Sequence, residues 1–161
     1  LVGSEMCIRD RSKPDYIYIN SKEMQIYQDL DKKVKTIAGK FENSEGPVKG
    51  HNIEPIYFDI ELNADKEFNF QIPETHNSFI YLVDGEITIG NKEHSQIKSS
   101  HLILLSKGIK LKVKATLNSK FLLIAGKPIN EEIARGGPFV MNTKSEILEA
   151  VNDYHNGTFV K

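Results

Sequence analysis

The chain has 161 residues, 39% of them hydrophobic, which is enough for one domain with a real core. Lysine and arginine number 21 against 22 aspartate and glutamate, and a net charge of −1 gives no pull toward a nucleic-acid backbone or an anionic membrane surface. The longest apolar runs, Phe79–Val83 and Phe121–Ala125, are five residues each, far short of the roughly 20 that span a bilayer.

The opening string LVGSEMCIRDR has neither apolar periodicity nor a signal-peptide core, and it resembles a translated sequencing adapter. Residues 1–11 are therefore set aside as non-native, and the chain is expected to be a piece of a longer protein truncated upstream. Cys7, the single cysteine, falls in that string, so the remainder cannot build a disulfide framework and a reducing compartment fits. Setting the string aside removes Arg9 and Arg11 against Glu5 and Asp10, which leaves the net charge unchanged.

From Tyr16 the chain reads as short strands with period-two alternation and turn residues between them. A strand over Tyr16–Ile19 and another near Val34–Ala38 precede a polar, glycine-rich loop, Phe41–His51. Ile56, Phe58, Ile60 and Leu62 then alternate with Tyr57, Asp59 and Glu61, and Phe68, Phe70 and Ile72 with Glu67, Asn69 and Gln71. Each such strand has one buried face. Phe79–Val83 runs into the tight turn Asp84-Gly85, after which Ile87 and Ile89 resume the alternation. Leu102–Leu105 is continuously apolar; Ile109, Leu111, Val113 and Ala115 alternate with Lys110, Lys112 and Lys114; Phe121–Ala125 is apolar throughout. The three continuous runs are expected to be central strands covered on both faces. Asn63-Ala64-Asp65, Gly90-Asn91, Ser106-Lys107-Gly108 and Leu117-Asn118-Ser119 supply turns, at the spacing of a sandwich or barrel. Only the end changes period: Thr143 and Glu146 form a capping box, Ile147, Leu148, Val151 and Tyr154 a helical apolar face, and Gly157 is placed to end the helix.

The five histidines, His51, His76, His94, His101 and His155, include no H-x-H pair that would put two imidazoles on one strand face. His51, His94 and His155 sit in a polar loop, a charged turn and a helix end, where a solvent-facing role is expected. His76 alone could look into a barrel mouth, and a hydrogen-bonding structural role is expected there, since one imidazole without partners holds no metal. The sequence carries no G-x-S-x-G elbow, Walker loop, G-x-G-x-x-G or H-E-x-x-H, and Glu74 beside His76 is a pairing common by chance.

The segment Gly137-Pro138-Phe139-Val140-Met141-Asn142-Thr143, followed by Lys144-Ser145-Glu146-Ile147 and the helix to Tyr154, resembles the signature near the C-terminus of pirins. The likeness extends over VKTIAG at Val34–Gly39, Gly46-Pro47-Val48, PIYFDI at Pro55–Ile60, His76–Tyr81, Gly85-Glu86 and FLLIAGK at Phe121–Lys127. YIYIN at Tyr16–Asn20 and Tyr27–Leu30 resemble the family's crossover between its halves, with Tyr18 where a tryptophan is usual and a shorter joining piece. The resemblance implies an all-β cupin, a double-stranded β-helix or jelly-roll barrel with one C-terminal α-helix. Residues 12–30 would be a remnant of the crossover and 31–161 the C-terminal cupin domain. It further implies a bicupin whose N-terminal barrel, absent here, binds Fe through three histidines and a glutamate. Some members oxidise quercetin; others are co-regulators of transcription or partners of metabolic enzymes.

Cupin motif spacing can be laid on these residues. Anchoring the last glycine of G-x5-H-x-H-x3-E-x6-G on Gly85 puts Ile72 and Glu74 at the histidines and Ser78 at the glutamate. Anchoring G-x5-P-x-G-x2-H on Gly108 puts Ser106 at the proline and Leu111 at the histidine. An interior with Ile72 and Leu111 in place of imidazoles is expected to be a packed core without a metal or other cofactor. The resulting expectation is a non-catalytic cupin domain that structurally supports an iron-bearing N-terminal cupin in cis. It would have no catalytic residue of its own, no direct nucleic-acid or membrane partner, and a place in the cytoplasm, or the nucleus if the source is eukaryotic. Two alternatives stand beside it: a piece of an Fe-dependent quercetin 2,3-dioxygenase, and a small-molecule-binding barrel with Tyr57, His76 and Tyr81 at its mouth.

Overall fold

A computed structural model describes residues 18–49, 53–90 and 96–159. Residues 19–129 form one compact unit, and the chain from Asn130 onward belongs to a second.

The first unit is built from two antiparallel sheets. The larger contains β1 (Gln25–Gln28), β2 (Lys32–Ala38), β5 (Ile56–Leu62), β12 (Ser119–Gly126), β7 (Asn77–Asp84) and β10 (His101–Leu104), in that spatial order. The smaller contains β6 (Glu67–Gln71), β11 (Lys110–Ala115), β8 (Glu86–Ile89) and β9 (Ile97–Lys98). A short ribbon, β3 (Lys40–Phe41) with β4 (Ser44–Glu45), lies within the segment expected to be loop. Period-two alternation is realised most cleanly in β5, β11 and β12, where every second residue is buried. The buried faces of both sheets contribute to one core that includes Val34, Phe58, Ile60 and Phe121 from the larger and Phe68 and Val113 from the smaller. Phe41, from the supposed loop, stacks on Phe68 at 5.5 Å and meets Phe58 edge-on at 5.7 Å. The buried hydroxyls beside it satisfy each other, with Thr36 Oγ1 and Ser44 Oγ 2.7 Å apart and Ser44 Oγ donating to the Phe41 carbonyl at 2.8 Å.

Four expectations need correction. The tight turn expected at Asp84-Gly85 is a bend between sheets: β7 lies in the larger sheet and β8 in the smaller, so the chain changes sheets at Gly85. Its φ of +89° and its closeness to Ser119 leave room for no side chain. Secondly, the continuous apolar runs are not covered on both faces. β12 is central, but β10 is an edge strand among the described residues, and Leu102 and Leu104 on its outer face are 58% and 78% exposed. Thirdly, Tyr18 and Ile19 form no strand, while Tyr16 and Ile17 lie outside the described residues. The chain instead enters β1 through a 3-10 turn, Ser21–Glu23, whose Lys22 amide donates to Asn20 Oδ1 at 3.0 Å. Finally, the core is not packed throughout, because an open pocket remains beside Ile72 and Leu111.

The second unit holds a ribbon, β13 (Ala134–Gly136) with β14 (Phe139–Met141), and the helix α1 (Lys144–His155). Phe139, Met141, Ile147 and Ala150 form its small core. A Cβ on Gly136 would stand 2.4 Å from Ile147 Cγ2, so glycine is what lets the helix lie against the ribbon. The expected capping box is present: Thr143 Oγ1 accepts from the Glu146 amide at 3.3 Å, and Glu146 Oε2 accepts from the Thr143 amide at 2.8 Å. Gly157, at φ +69°, follows the helix end. No described helix is long and apolar enough to cross a membrane.

Candidate functional site

The ends of the two sheets bring together positions that are distant in sequence. Ile72 continues β6, its amide donating to the Ile109 carbonyl at 2.9 Å, and Leu111 faces Phe70 across the β6–β11 pair. Ser78 shares the inner face of β7 with Ile80 and Leu82, and its carbonyl accepts from the Leu105 amide at 3.0 Å. Ile72, Ser78, Leu111 and Ser106 line one open pocket of about 1090 Å³. Motif spacing thus placed three of the four ligand-position residues around one cavity. Glu74, the fourth, is exposed in the turn between Pro73 and His76, and that lining does not include it.

The donors at these positions do not fit a metal. Ile72 and Leu111 are hydrocarbon, and Ser78 offers one neutral hydroxyl where the motif has a carboxylate. Among the described residues there is no group of three or more His, Cys, Asp or Glu side chains that could hold a metal ion. The remaining wall mixes polar residues with apolar ones that include Phe41, Phe70, Ile89 and Ile103.

His76 is 4% exposed, and both ring nitrogens are engaged. Nε2 stands 3.0 Å from the Glu54 carbonyl, which can only accept, so Nε2 donates; Nδ1 lies 3.3 Å from Thr75 Oγ1. The ring pins the loop before β5 to the start of β7, and the pocket lining does not include it. Tyr57 and Tyr81 fall on the outer face of the larger sheet, alternating with buried Ile56, Phe58, Ile80 and Leu82. The expected mouth of Tyr57, His76 and Tyr81 is therefore corrected: the strand parity turns both tyrosines away from the interior. His101 is exposed, its Nδ1 3.0 Å from the Lys98 and Ser99 carbonyls, and His155 is exposed at the end of α1. His51 and His94 lie outside the described residues.

Perturbed titration occurs away from the pocket. The Lys32 ammonium, followed by the Asp31 and Lys32 amides, holds the Asp29 carboxyl well below the usual carboxylate range, and the bond to Asp29 raises the Tyr27 phenol. Bonds from Lys49 and Lys40 lower Glu45, and the bond to Asp31 raises Lys66. These are surface ion pairs and turn contacts, not acid–base machinery.

The residues of the GPFVMNT string have structural tasks. Gly137, at φ +59°, turns the ribbon with Pro138; Phe139 and Met141 face the small core; Val140 pairs with Arg135. Asn142 Nδ2 donates to Glu131 Oε2 at 2.8 Å and to the Glu132 carbonyl at 3.1 Å, and Thr143 caps the helix. Sequence reasoning missed Lys107, which it read only as part of a turn. Its Nζ donates to the His76 carbonyl at 3.1 Å and to Asn77 Oδ1 at 2.9 Å, at the edge of the pocket.

Comparison with known proteins agrees with this fold. The family model of the pirin C-terminal cupin domain matches residues 57–160. A pirin-like protein of Solanum lycopersicum is 35% identical over 163 aligned positions, covering 96% of this chain and 55% of the relative. Pirin of Homo sapiens is 38% identical over 104 positions, covering 63% of this chain and 36% of the relative. A crystal structure of quercetin 2,3-dioxygenase from Acinetobacter baumannii superposes with a TM-score of 0.75 at 27% identity, covering 89% of this chain and 50% of that one. The chain spans about half the length of the curated relatives it matches.

Proposed function

The chain belongs to the pirin family through its C-terminal cupin domain, and from that premise we propose that it is a metal-free cupin that structurally supports an iron-binding N-terminal cupin in cis. One observation carries the reading: three of the four ligand positions converge on one pocket but hold Ile72, Leu111 and Ser78 in place of two imidazoles and a carboxylate. Hydrocarbon at those positions donates no lone pair, so iron chemistry would be left to the other barrel.

The outer face of the larger sheet supports the cis partner. Toward β2 and β5 that face is polar, with Lys33 and Lys120 near Glu61 and Lys120 near Asp59. Toward β7 and β10 it carries Tyr81, Val83, Leu102 and Leu104, all exposed. An apolar patch of this kind commonly marks a contact with another domain. In the full-length protein the whole would oxidise a flavonol such as quercetin, the activity named for the Acinetobacter baumannii structure. A role in co-regulating transcription, and a place in the cytoplasm or a eukaryotic nucleus, belong to the same family-based reading.

The test is a protein of the relatives' full length that carries this domain, assayed for oxygen uptake with quercetin. Ser78→Ala and Glu74→Ala should leave both iron content and turnover within about twofold of the parent, because neither residue would touch the metal. Loss of iron or of turnover in either variant would move the chemistry into this half.

A further inference from the structure

The pocket has apolar side chains along its inner wall and Lys107 among the polar residues of its lining. Strand parity turns Phe70, Ile72, Leu111 and Ile103 inward, and Ser78 with them. Among the described residues the Ser78 hydroxyl has no hydrogen-bond partner, and it is only partly covered. Lys107 contributes to the same lining. Two of the three N–H bonds of its ammonium are used by neutral acceptors, the His76 carbonyl and Asn77 Oδ1, which fix the group without cancelling its charge. Lys107 forms no ion pair among the described residues, whereas Lys112, further along the lining, is matched by Glu67 at 3.0 Å. Lys110 also contributes to the lining and likewise has no ion pair among the described residues; Glu42 is the one carboxylate among the described lining residues. A cation held in place with one donor unused, in a lining that also has an apolar wall, is complementary to a molecule with a hydrocarbon body and one anionic end.

We propose that this pocket binds an amphipathic organic acid, its ring or short chain against Phe70, Ile72, Ile103 and Leu111 and its carboxylate received by Lys107. The volume of about 1090 Å³ accommodates such a molecule without displacing the core. The inference rests on the metal-free reading, since a bound metal would itself capture a carboxylate. Binding is therefore measured with and without EDTA, which separates failure of one claim from failure of the other.

The probe is 2-naphthoate, compared with the neutral 2-naphthamide of the same shape, titrated into the full chain by calorimetry and by amide-shift mapping. The naphthoate should bind in either buffer and shift the amides of Phe70, Ile72 and Leu105. The naphthamide should bind about tenfold more weakly, as expected for loss of one charge-assisted hydrogen bond. Lys107→Gln should cost the naphthoate about the same factor and leave the naphthamide unchanged, a split that a merely structural lysine would not give. Ile103→Trp should block both probes by filling the pocket, and the shift mapping on the parent chain decides the matter if that variant does not fold. Equal affinity for the two probes, shifts confined to the outer face around Tyr81 and Leu102, or no binding at millimolar probe would each overturn the proposal. Binding that disappears with EDTA would instead overturn the metal-free reading beneath it.

Discussion

Replacing Gly85 with alanine tests whether the crossing between sheets depends on this residue. The φ of +89° is outside the range an L side chain adopts readily, which alone costs about 1–2 kcal/mol. A Cβ built there would stand 2.3 Å from Ser119 Oγ, 2.5 Å from the Asn118 carbonyl oxygen and 2.6 Å from Ser119 Cα. Two of those three atoms are backbone, so no rotamer change relieves the clash. Ser119 Oγ is itself held, accepting from the Glu86 amide at 3.0 Å and lying 2.7 Å from the Leu117 carbonyl. Moving it aside weakens two hydrogen bonds worth about 1 kcal/mol each, for a total on the order of 3–4 kcal/mol. Gly90→Ala is the internal control: its φ is +70°, but among the described residues nothing lies within 4 Å of the added carbon, so the backbone cost of about 1 kcal/mol is what applies. Urea unfolding followed by circular dichroism measures both variants. The expected result is a midpoint for Gly85→Ala well below that for Gly90→Ala at similar slope. Two variants within about 0.5 kcal/mol of each other would refute the steric reasoning.

Three further outcomes are expected. Thr143→Ala should destabilise α1 by roughly 0.5–2 kcal/mol, read as faster amide exchange in the first turn of that helix; unchanged protection would argue that the cap contributes nothing. The Asp29 carboxylate is more acidic folded than unfolded, so its contribution is fully present above about pH 4, the unfolded value, and is lost as pH falls from there toward the lower folded value. Asp29→Asn should therefore be less stable than the parent at neutral pH and equal to it in strong acid, and a constant difference across that range would contradict the assignment. Leu102→Lys with Leu104→Lys should abolish weak self-association and hydrophobic-dye binding by the chain, seen in light scattering at high micromolar concentration, without lowering the melting temperature. A parent chain that is already a clean monomer and binds no dye would remove the reason for treating that face as a domain contact.

Much of the fold was legible because burial on one face writes itself as alternation. Ile56–Leu62 matches β5 residue for residue, and Thr143 with Glu146 marked the start of α1. What was not legible depends on partners far away in sequence. An apolar run such as Leu102–Leu105 reads alike whether its outer face is covered or exposed, so the edge position of β10 could not be seen. Asp84-Gly85 signals a local turn, but only the pairing of β7 and β8 with different sheets reveals a crossing. β13 and β14 are three residues each, too short to show a period, and Phe41 sits in a glycine-rich stretch that hides its place in the core. At the site, motif spacing located Ile72, Ser78 and Leu111, because ladder register fixes which residues meet at the end of a barrel. It could not locate Lys107, whose position follows from hydrogen bonds to the start of β7.

The absence of metal ligands in this half is the central claim, and metal content tests it directly. The purified chain would be refolded with Fe(II), dialysed, and analysed for iron, copper and zinc together. A far smaller amount than one metal per chain is expected, because Ile72, Ser78 and Leu111 offer one neutral hydroxyl among them. About one metal ion per chain would contradict the account.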